Sequence, residues 1–219
     1  MIKVKKITEI FYDFEDNFYN NYYFSGDKGA LFLDRDGVII KDVNYISKPE
    51  EVKLESGLTN LLKKAYEYRF PVFIITNQSG ISRGFYEWDD FYKVNERIIQ
   101  LIGKPNPIYS VYANSHIELS QNSWRKPNPN MIFEIEKRFK VNLSKSILIG
   151  DRISDLQAGL KSGIGKLVHV ETGHGKREKQ KILENIDKDG YFIDSKLRSR
   201  LILLKNLDKF PLEFFEENK

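Results

Sequence analysis

Apolar and polar positions along the chain switch between two spacings. The segments "GALFLD" (29–34), "FPVFIITN" (70–77), "PIYSVYA" (107–113), "KSILIGD" (145–151) and "GKLVHV" (165–170) are short, nearly continuous apolar runs, the pattern of strands buried on both faces. Between them the spacing turns helical, with Leu58, Leu61, Leu62 and Ala65 on one stripe, then Phe91, Val94, Ile98 and Leu101, then Met131, Ile132, Ile135 and Phe139. "SDLQAGLKSG" predicts another helix, closed by Gly163. "YFID" (191–194) predicts a last strand and "SKLRSRLILLKNL" (195–207) a last helix, while "FPLEFFEENK" is open to docking or fraying. Strands alternating with helices predict an α/β fold of three α/β/α layers: a parallel sheet, wound right-handed and covered on both faces. Ligands of such sheets sit at the carboxyl ends of the strands.

The chain before Gly29 breaks this rhythm, so the expected organisation is an aromatic-rich extension over 1–28 and a single domain over 29–219. Ile7, Ile10, Phe11, Phe14 and Phe18 recur at helical spacing, yet Tyr19, Tyr22, Tyr23 and Phe24 place aromatics on other faces too. Packing on the chain's own core is the expectation, with a dimer contact or a partial lid as alternatives.

Composition narrows the chemistry. A length of 219 residues with 41% hydrophobic content suffices for one sizeable core. With no cysteine, disulfides and thiolate catalysis are excluded. The 35 Lys+Arg against 31 Asp+Glu leave a surplus of four, which suits an anionic ligand and does not of itself mark a nucleic-acid binder. The N-terminus lacks the apolar stretch of a signal peptide, and no apolar run reaches membrane-spanning length. A soluble, cytoplasmic protein without a membrane partner, monomeric or weakly dimeric, is expected.

Polar residues cluster where such a fold places ligands. Asp34, Thr76 and Asp151 each fall at or just past the end of a predicted strand. One aspartate there is ordinarily a turn or cap residue; three, with a Lys-Pro ahead of a helix, point to a site. Asp34 and Asp36 are two apart and point the same way on an extended segment, and Gly37 lets the chain turn behind them. With Asp151 they form a concentrated negative site suited to a hard cation such as Mg²⁺. An ionised aspartate can attack phosphorus while its neighbour protonates the departing oxygen, and Thr76 and Lys126 can serve the phosphoryl oxygens.

"FLDRDGVI", "FIITNQSGISRG", "RKPNPNM" and "LIGDRISDLQAG", in this order, resemble the four motifs of the haloacid dehalogenase phosphatases, across about residues 29 to 175. "DRDGV" together with "TNQSGISRG" is similar to the branch containing heptose bisphosphate 7-phosphatases and histidinol phosphatases. The resemblance implies a Rossmann-like, HAD-like fold and Mg²⁺ as cofactor. It implies Asp34 as nucleophile, Asp36 as general acid and then base, Thr76 and Lys126 as holders of the phosphoryl group, and Asp34, Asp36 and Asp151 as metal ligands. Asp155 is expected to orient its neighbours from behind. Substrate contacts are expected from Asp42, Asn44, Tyr45, Asn77, Gln78, Ser79, Arg83, Arg125 and Arg152, with Arg125 suited to a second phosphate or sugar hydroxyls.

Two departures from the pattern matter. Many members of this branch hold a structural zinc in the loop before the RKP motif through Cys-x-His and Cys-x-Cys; here Ala113, Ser115, Asn122 and Trp124 occupy those places and His116 is out of step by one. No zinc is expected, and packing of Trp124 would close the loop instead. Neither insertion point has room for a cap domain, so the site is expected to be capless and covered only by loops, among them Arg83 and the "ETGHGKRE" loop with His174, Lys176 and Arg177. The implied activity is hydrolysis of a small sugar phosphate, best D-glycero-D-manno-heptose 1,7-bisphosphate, through an aspartyl phosphate. Histidinol phosphate and a polynucleotide 3′-phosphate are alternative substrates, with nucleic acid disfavoured by the modest charge. A catalytically silent binding module is the alternative of another class.

Overall fold

The computed structural model describes residues 8–14, 26–192 and 199–218. Its centre is one seven-stranded sheet in the order β1-β4-β3-β2-β5-β6-β7. The strands are β1 (Glu9–Asp13), β2 (Leu31–Leu33), β3 (Val72–Asn77), β4 (Ile108–Asn114), β5 (Ile147–Gly150), β6 (Lys166–Val170) and β7 (Arg200–Leu204). All neighbouring pairs are parallel except β1, which lies antiparallel on β4. The helices are α1 (Leu58–Glu67), α2 (Ser79–Ser82), α3 (Trp88–Ile102), α4 (Asn130–Phe139), α5 (Ile153–Ser162) and α6 (Gly175–Leu183).

The two-sided burial of the strands divides the core into two. Leu31, Leu33, Val72 and Ile74 face one layer with Leu58, Leu61, Leu62 and Ala65 of α1 and Phe91, Val94 and Ile98 of α3. Phe32, Phe73, Ile75 and Leu148 face the other, where Met131, Ile132 and Ile135 of α4, Leu156 of α5 and Ile182 of α6 pack. This is the three-layer α/β/α arrangement that the alternating periods predict. The C-terminal segment docks rather than frays: Phe210, Phe214 and Phe215 are buried under α1, beside Phe70.

Four elements differ from the reading of the sequence. The apolar run expected to close the fold as a helix is β7, parallel to β6 with Arg200 opposite Lys166. A run such as "RLILL" suits either state, and the open edge of β6 supplies backbone partners that only a strand can use. The strand expected at 191–194 is reduced to isolated bridges at Tyr191 and Phe192; residues 193–198, including the start of the expected helix, lie outside the described residues. The loop "ETGHGKRE" leads into α6, which the sequence reading left irregular.

In the N-terminal extension Ile7, Phe18, Tyr19, Tyr22, Tyr23 and Phe24 lie outside the described residues. Ile10 and Phe14 do not share a helical face. They alternate with Phe11 and Asp13 along β1 or just beyond it, so that Ile10, Tyr12 and Phe14 pack on the α1/α3 layer. Phe11 points to the opposite face and stacks on Tyr112 with ring centroids 5.3 Å apart.

Candidate active site

Parallel register brings the predicted residues to one edge. Leu33 is level with both Ile74 and Ile149, so Asp34, Thr76 and Asp151 emerge together where β2, β3 and β5 end. Lys126, from the loop between β4 and α4, reaches under them: Nζ donates to Asp34 Oδ1 at 2.6 Å and to the Ile75 carbonyl at 2.8 Å, and pairs with Asp155 Oδ1 at 2.7 Å. Asn77 holds the backbone of this lysine from both sides, its Oδ1 accepting from Lys126 N at 3.0 Å and its Nδ2 donating to Lys126 O at 3.1 Å. Burial alone would lower the lysine, but the carboxylates of Asp155 and Asp34 outweigh it and hold the ammonium protonated beyond its ordinary range.

One cation does not offset three carboxylates. Burial pushes Asp34 up to about 7; Lys126 opposes this, and Asp155 and Asp36 add to it. Burial, then the charges of Asp34 and Asp155, raise Asp151 to about 9. Asp151 Oδ2 accepts the His174 N–H at 2.6 Å, whereas its buried Oδ1 has no partner. Carboxylate oxygens of Asp34, Asp151 and Asp155 converge within 4.8 Å of one another. All-oxygen donors, surplus negative charge and an orphaned buried oxygen fit a hard divalent cation. Asp155, expected to stand behind the site, is therefore in the cluster itself, and its Oδ2 also accepts the Arg152 N–H at 2.9 Å, which caps α5.

Asp36 is held apart from this cluster. The Arg35 guanidinium, almost fully buried, donates to both its oxygens at 3.1 Å, and Gln78 Nε2 donates to Oδ2 at 2.8 Å. Gln78 also donates to Thr76 Oγ1 at 2.8 Å, and its Oε1 accepts from Arg35 at 2.9 Å and from Tyr86 Oη at 2.5 Å. Every hydrogen-bonding atom of this amide is committed, so Asp36 has one orientation, with about a quarter of its side chain left open to the cleft. Gly37 turns the chain at φ 86°, and a Cβ there would meet Asp151 Oδ2 at 2.6 Å. Only glycine lets the aspartate loop approach Asp151 so closely.

A cleft of about 540 Å³ opens above. Asp34, Asp36 and Lys126 line it, with all nine expected substrate residues: Asp42, Asn44, Tyr45, Asn77, Gln78, Ser79, Arg83, Arg125 and Arg152. Thr76 and Asp151 are buried behind this lining. Asn44 and Tyr45 sit at φ 57° and 53°, a left-handed pair that costs on the order of 1 kcal/mol or more per residue. The Asn44 N–H donates to Asp42 Oδ1 at 2.9 Å, and Asp42 Oδ2 meets His174 Nε2 at 2.9 Å, so the strained turn is tied to the loop after β6. Across the cleft, Arg125 is lowered by burial and then by the charges of Arg83 and Arg152, which line the same cleft. Lys176 and Arg177 do not line the cleft; Arg177 turns to His174 Nδ1 at 2.7 Å.

Reasoning from sequence missed Arg35, Tyr86, Ser154 and Leu119, which also line the cleft. Arg35 carried a signal: a charge between two aspartates, inside a buried segment, needs a partner. Tyr86 carried none. No cap domain is inserted among the described residues: 38–57 holds one 3₁₀ turn at Pro49–Glu51, and 115–128 is a loop. That loop is closed by Trp124, 5.5 Å from the Tyr112 ring, and by Asn128 and Asn130, whose amides donate to the Ser123 carbonyl.

A family model described as polynucleotide kinase 3 phosphatase matches residues 30–188. D-glycero-alpha-D-manno-heptose-1,7-bisphosphate 7-phosphatase of Campylobacter jejuni is 39% identical over 142 residues, covering 64% of this chain and 81% of that one. The corresponding enzyme of Mesorhizobium japonicum, named for the beta anomer, is 35% identical over 145 residues, covering 63% of this chain and 67% of its own. In fold, the chain is similar to a D,D-heptose 1,7-bisphosphate phosphatase from B. bronchiseptica solved with magnesium and phosphate, with TM-score 0.69, 23% identity, and coverage of 82% of this chain and 94% of that one. The chain belongs to this family of haloacid dehalogenase-type phosphatases.

Proposed function

We propose that this phosphatase removes the 7-phosphate of a D-glycero-D-manno-heptose 1,7-bisphosphate, with Mg²⁺ as its cofactor. The observation that carries the reading is the pairing, in one cleft, of a lysine-held aspartate at the base with three convergent arginines at the rim. A substrate bearing two phosphates would place one at each. The relatives' names support the sugar and differ on the anomer.

In this reading Lys126 occupies Asp34 Oδ1, leaving Oδ2 to attack phosphorus. As the new O–P bond forms, the ester P–O bond breaks and Asp36, oriented by Arg35 and Gln78, gives its proton to the departing sugar oxygen. Asp36 then takes a proton from water, whose oxygen attacks the aspartyl phosphate; inorganic phosphate leaves and the Asp34 carboxylate is restored. Lys126 and Thr76 neutralise and orient the phosphoryl oxygens. Asp34, the Asp36 backbone carbonyl and Asp151 would hold the Mg²⁺, which supplies the positive charge that lets one anion approach another.

Phosphate release with and without EDTA, over heptose 1,7-bisphosphates of both anomers, histidinol phosphate, common sugar phosphates and a 3′-phosphorylated oligonucleotide, tests this directly. Preference for one bisphosphate, abolished by EDTA, is expected. The family description favours the oligonucleotide as a second reading, and its selective turnover would replace the first.

A further inference from the structure

We propose that β1, which precedes the region shared with the family, is a specificity element: Glu9 fixes the loop that aims Arg125 into the cleft. The outward row of β1 stands directly against that loop. Glu9 Oε1 accepts the backbone N–H of Trp124 at 2.6 Å, one residue before Arg125. The same oxygen lies 3.3 Å from His116 Nε2. The carbonyl of His116 in turn accepts from Arg125 Nη1 at 2.8 Å. One carboxylate therefore grips both ends of the arginine's anchorage: the residue that leads into it and the residue whose carbonyl it holds.

The rest of β1 makes this grip stiff. The Thr8 carbonyl accepts the Ser115 N–H at 2.8 Å, so the pairing with β4 continues into the base of the loop. Phe11 stacks on Tyr112 and lies 6.4 Å from the Trp124 ring, while Arg138 of α4 covers Phe11 at 4.9 Å and pairs with Asp13. A strand held by Tyr112 below and α4 beside it cannot follow the loop outward, and Trp124 is clamped between strand and sheet. Among the described residues Glu9 reaches the cleft through this loop, so it is a positioning residue. Lys126 is held independently by Asn77, so the reacting end of the cleft does not depend on β1.

The consequence separates the two ends of a substrate. This inference rests on the functional reading above in one respect, that Arg125 meets the group distal to the reacting phosphate. Glu9→Ala should raise KM for the heptose bisphosphate about tenfold and leave kcat, and both constants for 4-nitrophenyl phosphate, within about twofold. Glu9→Gln, which keeps an acceptor for the Trp124 N–H, should recover most of the loss. In hydrogen exchange the Trp124 amide should open about tenfold faster in Glu9→Ala while amides of β3 and β5 stay unchanged. An unchanged KM ratio between the two substrates, or equal losses for both, overturns the inference. If the wild-type protein does not prefer the bisphosphate, the functional reading fails instead, and the exchange rate of Trp124 alone then decides whether Glu9 fixes the loop.

Discussion

Asp151→Asn should make the metal-free protein more stable and the metal-bound comparison less so. The substitution keeps the shape of the side chain and an oxygen for the His174 N–H, and removes one of three buried carboxylates around a single ammonium. In the folded chain Asp151 is raised from its ordinary 3.8 to about 9, first by burial and then by Asp34 and Asp155. Between those values the folded state holds a proton that the unfolded state has released, so the group's contribution to stability is full at low pH and is lost as pH rises. The slope is at most about 1.4 kcal/mol per pH unit for one proton, so from pH 5 to pH 8 the variant should gain up to about 4 kcal/mol on the wild type in EDTA. Urea unfolding at pH 5, 6.5 and 8 measures this. Mg²⁺ at about a hundred times the wild type's Kd narrows this difference, because the wild type gains about 2.7 kcal/mol of binding energy that the variant lacks. A difference between the two proteins that does not change with pH in EDTA would refute the charge-crowding argument, as would equal stabilisation of both by Mg²⁺.

Asp34→Asn should lower turnover by about 10³-fold or more with the fold intact, seen as lost phosphate release beside an unchanged circular dichroism spectrum; retained turnover would remove Asp34 from the nucleophile's place. Asp36→Asn should slow formation of the aspartyl phosphate in a single turnover by about 10²- to 10⁴-fold from sugar phosphates and far less from 4-nitrophenyl phosphate, whose leaving oxygen needs no proton, while hydrolysis of the intermediate slows for both; equal losses in that first step would place the general acid elsewhere. Lys126→Met strands Asp34 and Asp155 without their cation and should destabilise the metal-free protein by about 3–5 kcal/mol near neutral pH, read from the urea midpoint; a change under 1 kcal/mol would show that Lys126 does not compensate them.

The strand ends were legible because two-sided burial leaves an unmistakable apolar run, and the polar residue that stops the run is by construction at the sheet edge. Asp34, Thr76 and Asp151 were found that way, from local pattern alone. What the pattern lacks is partnership. Arg35 and Asp36 bond as neighbours, but their shared dependence on Gln78 and Tyr86 spans more than 40 residues, and nothing local marks it. β1 and β7 were obscured for a related reason. Each is an edge strand whose state is decided by the exposed backbone of β4 or β6, a nonlocal partner that outweighs the spacing of its own side chains.

The charges of the site form two opposed layers, and each constrains the other. At the base, three carboxylates crowd together and only Asp34 and Asp155 pair with Lys126, an arrangement that repels a phosphate dianion until a cation joins it. At the rim, Arg83, Arg125 and Arg152 attract the same dianion. A phosphate ester arriving without metal would therefore be held at the rim and kept from Asp34. A cation held by Asp34 and Asp151 would remove this barrier, and a substrate with two phosphates would then satisfy both layers at once, whereas a monophosphate would leave one of them unanswered. Selectivity for a doubly phosphorylated ligand then needs no cap domain: it follows from the separation of the two layers, which is set by how firmly the loop carrying Arg125 is held above the strand ends.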